Sequence, residues 1–484
     1  MPTPVSGAAN PQGTEQMTRP ERIMFAAGDT FGGGGAALIS VLYLFYLTDI
    51  IGLPPAWAGF AVLVPKLWDA INDPLMGLLS DNARTRWGRR RPFIAVGASL
   101  LMVALAAVWA PIGGWESTSA KIAFVVGANL FYTTIATMIA VPYSSLSTEV
   151  TTNYHERNRI NVMRLAFVTL AAATCSVLGT ALLTAYTRGQ ISGFGMYLTI
   201  VFGFGTLFAT PLLIAVALSK ERAPIPPSRT SFSIRTTVAP FRLRSFRALL
   251  GMYLMQAVTT DVISALVVFY SLYVVKFHVS VFLGIFIVIQ LTGFVVVNRL
   301  VRNVSKALVY RALIPLAIVG GFGMGAYPSD GPAWGIYAVA ALVAIGMCGA
   351  VLMGWVMFPD VIDDAELATG GRNAGSFAGL MTLIRGLATA VTVQLIGLML
   401  QVTGYRPPAD YFAPIQPEAV QTGIRLTLGG AIMVFLALGW LAAKRYPLTY
   451  ARTQEMQREL SELRAASAGS ALEAARRSEE TALD

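Results

Sequence analysis

The stretch Trp68-Asp69-Ala70-Ile71-Asn72-Asp73-Pro74 decides how this chain is read. It lies inside an apolar segment at residues 57–79, and a bilayer span takes about 20 mostly apolar residues. A carboxylate at the bilayer centre costs about 2.5–3.5 kcal/mol on insertion scales, so two of them one turn apart need a reason to stay. Asp69, Asn72 and Asp73 stand at i, i+3 and i+4, and a helix puts all three on one face. That face offers hard oxygen ligands to a small cation. Like charges this close also oppose double ionisation, so even a purely structural pair contains a proton-binding element. Pro74 has no backbone N–H, which deprives the Ala70 carbonyl of its helical partner and leaves a kink or an extra oxygen at this level.

The rest of the composition agrees with a membrane chain. Of 484 residues, 55% are hydrophobic and 13% charged, about half the charged fraction of a soluble chain. The net charge of +10 is read as topology signalling beside membrane spans. No basic stripe with interleaved aromatics accompanies it, so nucleic acid is not an expected partner. Cys175 and Cys348 both fall in apolar spans and read as small packing residues. Two histidines in the whole chain leave no basis for a zinc site. The first 20 residues lack the basic and apolar regions of a cleaved signal, so the first span is expected to remain in the mature protein.

Twelve segments read as spans, near residues 23–48, 56–80, 93–113, 121–146, 161–187, 194–219, 246–274, 279–301, 309–327, 333–357, 374–402 and 421–443. The loops between them alternate in charge. One set carries Arg84, Arg86, Arg89, Arg90 and Arg91, then Arg157 and Arg159, then the basic stretch 220–247, then Arg299, Arg302, Lys306 and Arg311. The other set is nearly bare of charge. The positive-inside rule puts the basic set and both termini in the cytoplasm. The expected organisation is a cytoplasmic tail at 1–22, a six-helix half at 23–219, a linker at 220–245, a second six-helix half at 246–443 and a cytoplasmic tail at 444–484. Two six-helix halves around a midplane site is the major facilitator architecture, an all-α membrane fold. The final tail, rich in Ala, Glu and Arg, reads as a surface helix or a disordered segment.

Further candidates follow from charge inside or beside the spans. Asp81 ends the second span, and a tight loop with Arg89 and Arg90 leads into the third; these read as a cytoplasmic gate of weak, breakable surface ion pairs. Arg164 lies just inside the fifth span, where it would pair with the second-span carboxylates or meet an anionic solute. Asp360, Asp363 and Asp364, with Glu366, follow the tenth span and would pair with arginines of the other half to hold the inward side shut. Arg385 lies within the eleventh span and should face a cavity rather than lipid. The run Gly32-Gly33-Gly34-Gly35 in the first span reads either as tight helix packing or as a roomy cavity wall.

Together these residues resemble the glycoside–pentoside–hexuronide:cation symporter family of the major facilitator superfamily, the melibiose permease group. The resemblance rests on Gly28-Asp29, Thr48-Asp49-Ile-Ile-Gly52-Leu53, the Trp68-to-Pro74 motif with Gly77, Arg86-Trp-Gly-Arg-Arg-Arg-Pro92, the Glu-Arg pair before Arg164, and Asp360-Val-Ile-Asp-Asp364. It implies a carrier in which Asp69 and Asp73, with Asn72 beside them and Thr137 at the matching span-four position, bind the coupling cation Na+, Li+ or H+. The family's sugar-contact positions fall at Gly33, Ala140 and Ser144, with Arg164 one gap away and Arg385 one position before the family's span-eleven lysine, which falls at Gly386. The acid, aspartate, tryptophan and lysine of that pattern are thus replaced. The Asp360-to-Asp364 stretch is also similar to lysophosphatidylcholine symporters of the same wider group, which makes an amphiphile the alternative solute.

The expected function is therefore secondary active, cation-coupled symport of a small solute, a sugar or glycoside, in the inner membrane. A transporter-like sensor without coupled flux is the rival from another class. No nucleophile–base pair, nucleotide loop or metal cluster stands at useful spacing, so no enzyme and no cofactor are expected. Nothing gives a basis for an oligomer, and a monomer in the lipid bilayer is the expectation.

Overall fold

The computed structural model describes residues 17–147, 149–151, 154–222, 239–300, 304–369, 374–407, 415–460 and 462. Among these residues the secondary structure is helical, apart from one isolated bridge between Thr85 and Gly88. The chain divides into two compact units between Phe232 and Ser233.

The first unit opens with α1 (Arg19–Ala27), started by a capping box in which Thr18 and Glu21 satisfy each other's backbone N–H. The first span continues through α2 (Thr30–Leu38) and two π-helical turns, Ile39–Tyr43 and Tyr46–Ile50. Gly52, at φ +74°, then reverses the chain. The ammonium of Lys121 donates to the Ile51 and Gly113 carbonyls at 3.0 and 2.7 Å and satisfies the end of this span. The unit goes on with α3 (Pro55–Asn82), α4 (Arg91–Val108), α5 (Thr118–Leu146), α6 (Tyr154–Thr187), α7 (Gly193–Leu198) and α8 (Gly205–Leu218). Serines cap the outer helix starts: Ser117 accepts from Ala120 N, and Ser192 from Gly195 N. Helix α5 packs on both α3 and α4, and α6 packs on α1 and α2.

The second unit holds α9 (Arg244–Tyr273), α10 (Val279–Leu300), α11 (Lys306–Ala326), α12 (Ala333–Val356), α13 (Phe358–Thr369), α14 (Ala374–Val402) and α15 (Glu418–Lys444). Helix α11 packs on α12 and α15, and α9 packs on α14 and α15. The backbones of α11 and α15 touch: a Cβ on Gly429 would lie 2.7 Å from the Gly321 carbonyl oxygen and 2.8 Å from Gly325 Cα. Beyond α15, residues 450–460 are helical and bury Met456 and Leu460, so this part of the tail is docked rather than loose. Most of the linker (223–238) and the tail from 463 onward lie outside the described residues.

Eleven helices are long and apolar enough to cross a membrane among the described residues. The twelfth expected span, α3, has the length, 28 residues, but not that apolarity. Lys66, Asp69, Asp73 and Asp81 all lie on it. Composition therefore does not by itself confirm the count of twelve, and the departure falls on the helix that carries the deciding motif.

Replacing Gly429 with Leu forces the α11 and α15 backbones apart. Overpacking of this kind costs about 1–3 kcal/mol. Purified protein carrying Gly429→Leu is expected to unfold at a lower temperature than wild type, while Gly430→Leu, with open space around its Cβ position, leaves the midpoint near wild type.

Candidate functional site

The motif on α3 folds as the spacing requires. The Trp68 indole N–H donates to Thr134 Oγ1 on α5 at 3.0 Å, and the Thr134 hydroxyl in turn donates to the Leu130 carbonyl. This bond fixes the register of α3 against α5. One turn further along α5, the Thr137 hydroxyl donates to Asp73 Oδ1 at 2.7 Å. Asn72 is buried, 6% exposed, and its Nδ2 has no hydrogen-bond partner. The orientation of such an amide follows from its surroundings, and turned over it presents an oxygen. Asp69 lies one turn before Asp73, and its Oδ2 is 2.8 Å from the Lys66 ammonium. The structure thus brings together Asp69, Asn72, Asp73 and Thr137 on one side of α3, and adds Lys66, which the sequence reading passed over. Two carboxylates, a hydroxyl and an amide form an oxygen set suited to a hard monovalent cation.

Arg164 is engaged elsewhere. Its Nε lies 2.5 Å from Asp29 Oδ2, and its guanidinium sits 5.0 Å from the Tyr143 ring centroid and 5.8 Å from that of Phe25. Those two rings stack at 5.0 Å, and the Tyr143 hydroxyl donates to the Phe25 carbonyl. The expected pairing of Arg164 with the second-span carboxylates is corrected: the acid of its own depth on the first span takes it. Asp29 was legible only as part of a motif, although an acid and a base near the same ends of two spans in one bundle are natural partners.

Gly33 does not line a cavity. It is buried, and a Cβ there would overlap the Val168 carbonyl oxygen of α6. Gly33 is therefore a packing position that lets α2 and α6 meet at backbone distance, while Gly32 is exposed; this overturns the assignment of Gly33 to the solute. Ala140 and Ser144 lie three and seven residues beyond Thr137 on α5; both are exposed, and Ser144 Oγ donates to the Val141 carbonyl at 2.9 Å.

In the second unit Arg385 on α14 meets Asp261 on α9 in a two-pronged pair, Nη1 to Oδ2 at 2.6 Å and Nη2 to Oδ1 at 2.7 Å. Thr389 adds its hydroxyl to the same guanidinium. Asp261, 6% exposed, was also missed; its signal was a lone acid in the middle of the seventh span.

The charged residues beyond the spans form networks within each unit. Glu149 receives Arg89 through Nε at 3.2 Å and Nη2 at 2.5 Å, and Arg90 through Nε at 2.7 Å. Arg90 also reaches Asp81 Oδ1 at 2.6 Å and Ser80 Oγ at 3.2 Å. The hydrogen bond to Glu149 pushes the Arg89 guanidinium further up from an already high pKa, so it stays charged at every working pH. Glu221 takes the backbone N–H groups of Arg89, Arg90 and Arg91 at 2.9, 2.9 and 3.2 Å, placing a carboxylate on the start of α4 where the helix dipole favours it. Arg222 grips Glu21 at 2.7 and 3.0 Å. The expected surface pairs are corrected here: Arg90 is 5% exposed and Glu149 7%, so this is a buried network. In the second unit Asp360 holds the Lys306 ammonium at 2.8 and 2.7 Å, and Asp364 accepts from Ser245 Oγ at 2.5 Å. Asp360 therefore finds its basic partner in its own half, against the expectation of an arginine from the other. Asp363 shares α13 with them.

Residues 24–450 match the protein family described as MFS/sugar transport protein. The chain belongs to this family. An uncharacterised symporter of Synechocystis sp. is 26% identical, over 91% of this chain and 96% of its own length. A glucuronide carrier protein homolog of Escherichia coli (strain K12) is 24% identical, over 90% of this chain and 94% of its own. Among solved structures, a bacterial homolog of the human lysosomal transporter Spinster, inward-facing and unoccupied, superposes with a TM-score of 0.64 at 13% identity, covering 89% of this chain and 98% of that one. The fold is thus the major facilitator fold of an integral membrane protein, and the resemblance to the cation symporters of this superfamily holds.

Breaking a buried ion pair by removing one partner costs about 3–5 kcal/mol. Glu149→Gln removes the shared partner of two arginines and is expected to lower the unfolding midpoint clearly. Glu221→Gln keeps an oxygen for the Arg90 and Arg91 N–H groups and loses only the acceptor of Arg89 N–H, so it is expected to cost less, about 1–2 kcal/mol. Thermal denaturation of the two purified variants, side by side, checks that order.

Proposed function

We propose that this protein is a secondary active transporter of the inner membrane, with both termini cytoplasmic, that moves a sugar or glycoside together with Na+, Li+ or H+ by alternating access. The single observation that carries the reading is the contact of Thr137 with Asp73 in the middle of α3, with Asp69 one turn away and a buried, unpartnered amide at Asn72. These groups are the proposed cation ligands. Membership of a sugar-transport family and a symporter relative matched over 96% of its length support the coupling.

The solute class follows from the two deep arginines. Arg164 and Arg385 are each neutralised by a carboxylate, Asp29 and Asp261. Each pair offers matched donors and acceptors, suited to the hydroxyls of a neutral sugar, and leaves no spare positive charge for a hexuronate. The amphiphile alternative rests on the resemblance of the Asp360-to-Asp364 stretch, and the burial of Gly33 against α6 adds no support to it. The proposed gating residues remain Asp81, Arg89 and Arg90 in the first unit and Asp360, Asp363 and Asp364 in the second, with the buried partners described above.

The test is uptake into membrane vesicles from a panel of neutral sugars, glycosides and hexuronates, with and without an imposed Na+ or pH gradient. Gradient-driven accumulation of a neutral member is expected, and Asp73→Asn is expected to abolish it. Loss of a hydrogen bond to a charged group is worth about 1.5–3 kcal/mol, so Thr137→Val should keep transport but raise the half-saturating cation concentration about tenfold or more. Accumulation by Asp73→Asn equal to wild type would remove the cation site from this position.

A further inference from the structure

We infer that Lys66 is a tethered counter-ion: in the empty carrier its ammonium occupies Asp69, and an incoming Na+ or Li+ must displace it. This rests on the proposed cation site at Asp69 and Asp73.

Among the described residues, the charged side chains set inside the spans include the acids Asp29, Asp69, Asp73 and Asp261 and the bases Lys66, Arg164 and Arg385. Each base is paired: Arg164 with Asp29, Arg385 with Asp261, and Lys66 with Asp69. Asp73 has the neutral hydroxyl of Thr137 instead. Without Lys66 the empty site would hold two uncompensated carboxylates one turn apart in a low-dielectric setting, the condition that most disfavours a charged, ligand-free carrier.

The three pairs are not built alike. Arg385 makes two parallel bonds to Asp261, and a hydroxyl adds to its guanidinium. Arg164 lies over two aromatic rings. Both geometries suit the rigid planar fork of arginine and hold it in place. Lys66 makes one contact, 2.8 Å to a single oxygen of Asp69, and its side chain is 37% exposed against 26% for Arg385 and 15% for Arg164. An ammonium on a four-carbon stem is a compact monovalent cation that can swing aside without moving its helix. Because Lys66 and Asp69 lie at i and i+3 on one helix, the exchange needs no rearrangement between elements. The chain therefore carries its own stand-in for the travelling cation. It competes for the same carboxylate, weakening cation binding while keeping the vacant site neutralised.

The test is a titration of purified full-length protein with NaCl or LiCl against choline chloride, read as the rise in unfolding temperature. Wild type is expected to show a saturable rise with Na+ or Li+. Lys66→Gln is expected to lower the half-saturating concentration by about tenfold, as when a site competent about a tenth of the time becomes always competent. Lys66→Arg keeps the tethered charge and should stay near wild type. Adding Asp69→Asn to Lys66→Gln should abolish the gain, because the competition runs through that carboxylate. Lys66→Met serves as a second neutral variant if Lys66→Gln fails to fold. A wild type that responds to cation while both neutral variants keep its half-saturation, or bind more weakly, overturns the counter-ion role and leaves the cation site standing. A gain that survives Asp69→Asn overturns it as well. A wild type that responds to neither Na+ nor Li+ removes the alkali-cation site and the proposal together, whereas proton coupling is judged separately by the vesicle assay.

Discussion

A charge held in hydrocarbon must be neutralised, and this constraint orders the whole molecule. The penalty for an uncompensated buried ion is several kcal/mol even after relaxation, comparable with the entire net stability of many domains. The chain meets it by matching acid and base at equal depth within each unit. Asp29 with Arg164 ties the first span to α6, and Asp261 with Arg385 ties α9 to α14. Each pair thereby acts as a register mark between helices whose apolar surfaces would otherwise slide. Asp73, by contrast, bonds directly to a threonine hydroxyl rather than to a base, and Lys66 acts on it only through its charge.

Much of the fold was legible in the sequence because hydrocarbon enforces a simple rule: a span must be apolar and about 20 residues long. The helices start and end within a few residues of where composition alone puts them, and proline and serine caps explain several of the starts. The motif on α3 was legible for the opposite reason, since charge in such a segment is conspicuous. The partners were not. Whether Arg164 meets Asp69 or Asp29 depends on which helix neighbours α6, and spacing along one chain carries no information on that. Lys66 was overlooked because a lysine in a span reads as snorkelling.

The glycine run shows how one pattern supports two physical readings. Side-chain-free positions can open space for a solute or close space between helices. A sequence does not distinguish them, because the difference lies in what faces the glycine. At Gly33 the Val168 main chain does, so the missing Cβ is filled by a neighbouring helix. The consequence reaches beyond packing. The position to which the resemblance assigns a sugar contact makes a backbone contact here, and Arg164 finds its acid one turn earlier, at Asp29.

The cytoplasmic networks follow the same electrostatic rule with a different result. At the membrane surface an exposed ion pair contributes about 0–1 kcal/mol and breaks freely, which is what a gate requires. Arg90 and Glu149 are instead buried, and Glu221 from the start of the linker sits on the backbone of the Arg89–Arg91 turn. With Arg222 clasping Glu21 at the foot of α1, the linker entry, the first helix and the α3–α4 turn are joined by bonds that cannot all be broken in each cycle at modest cost. The physical reading is that this network keeps the first unit a rigid body. In the proposed gate, Arg89 and Arg90 are then the fixed side, and Asp81, 27% exposed at the edge of the network, is the member placed to make and break contacts.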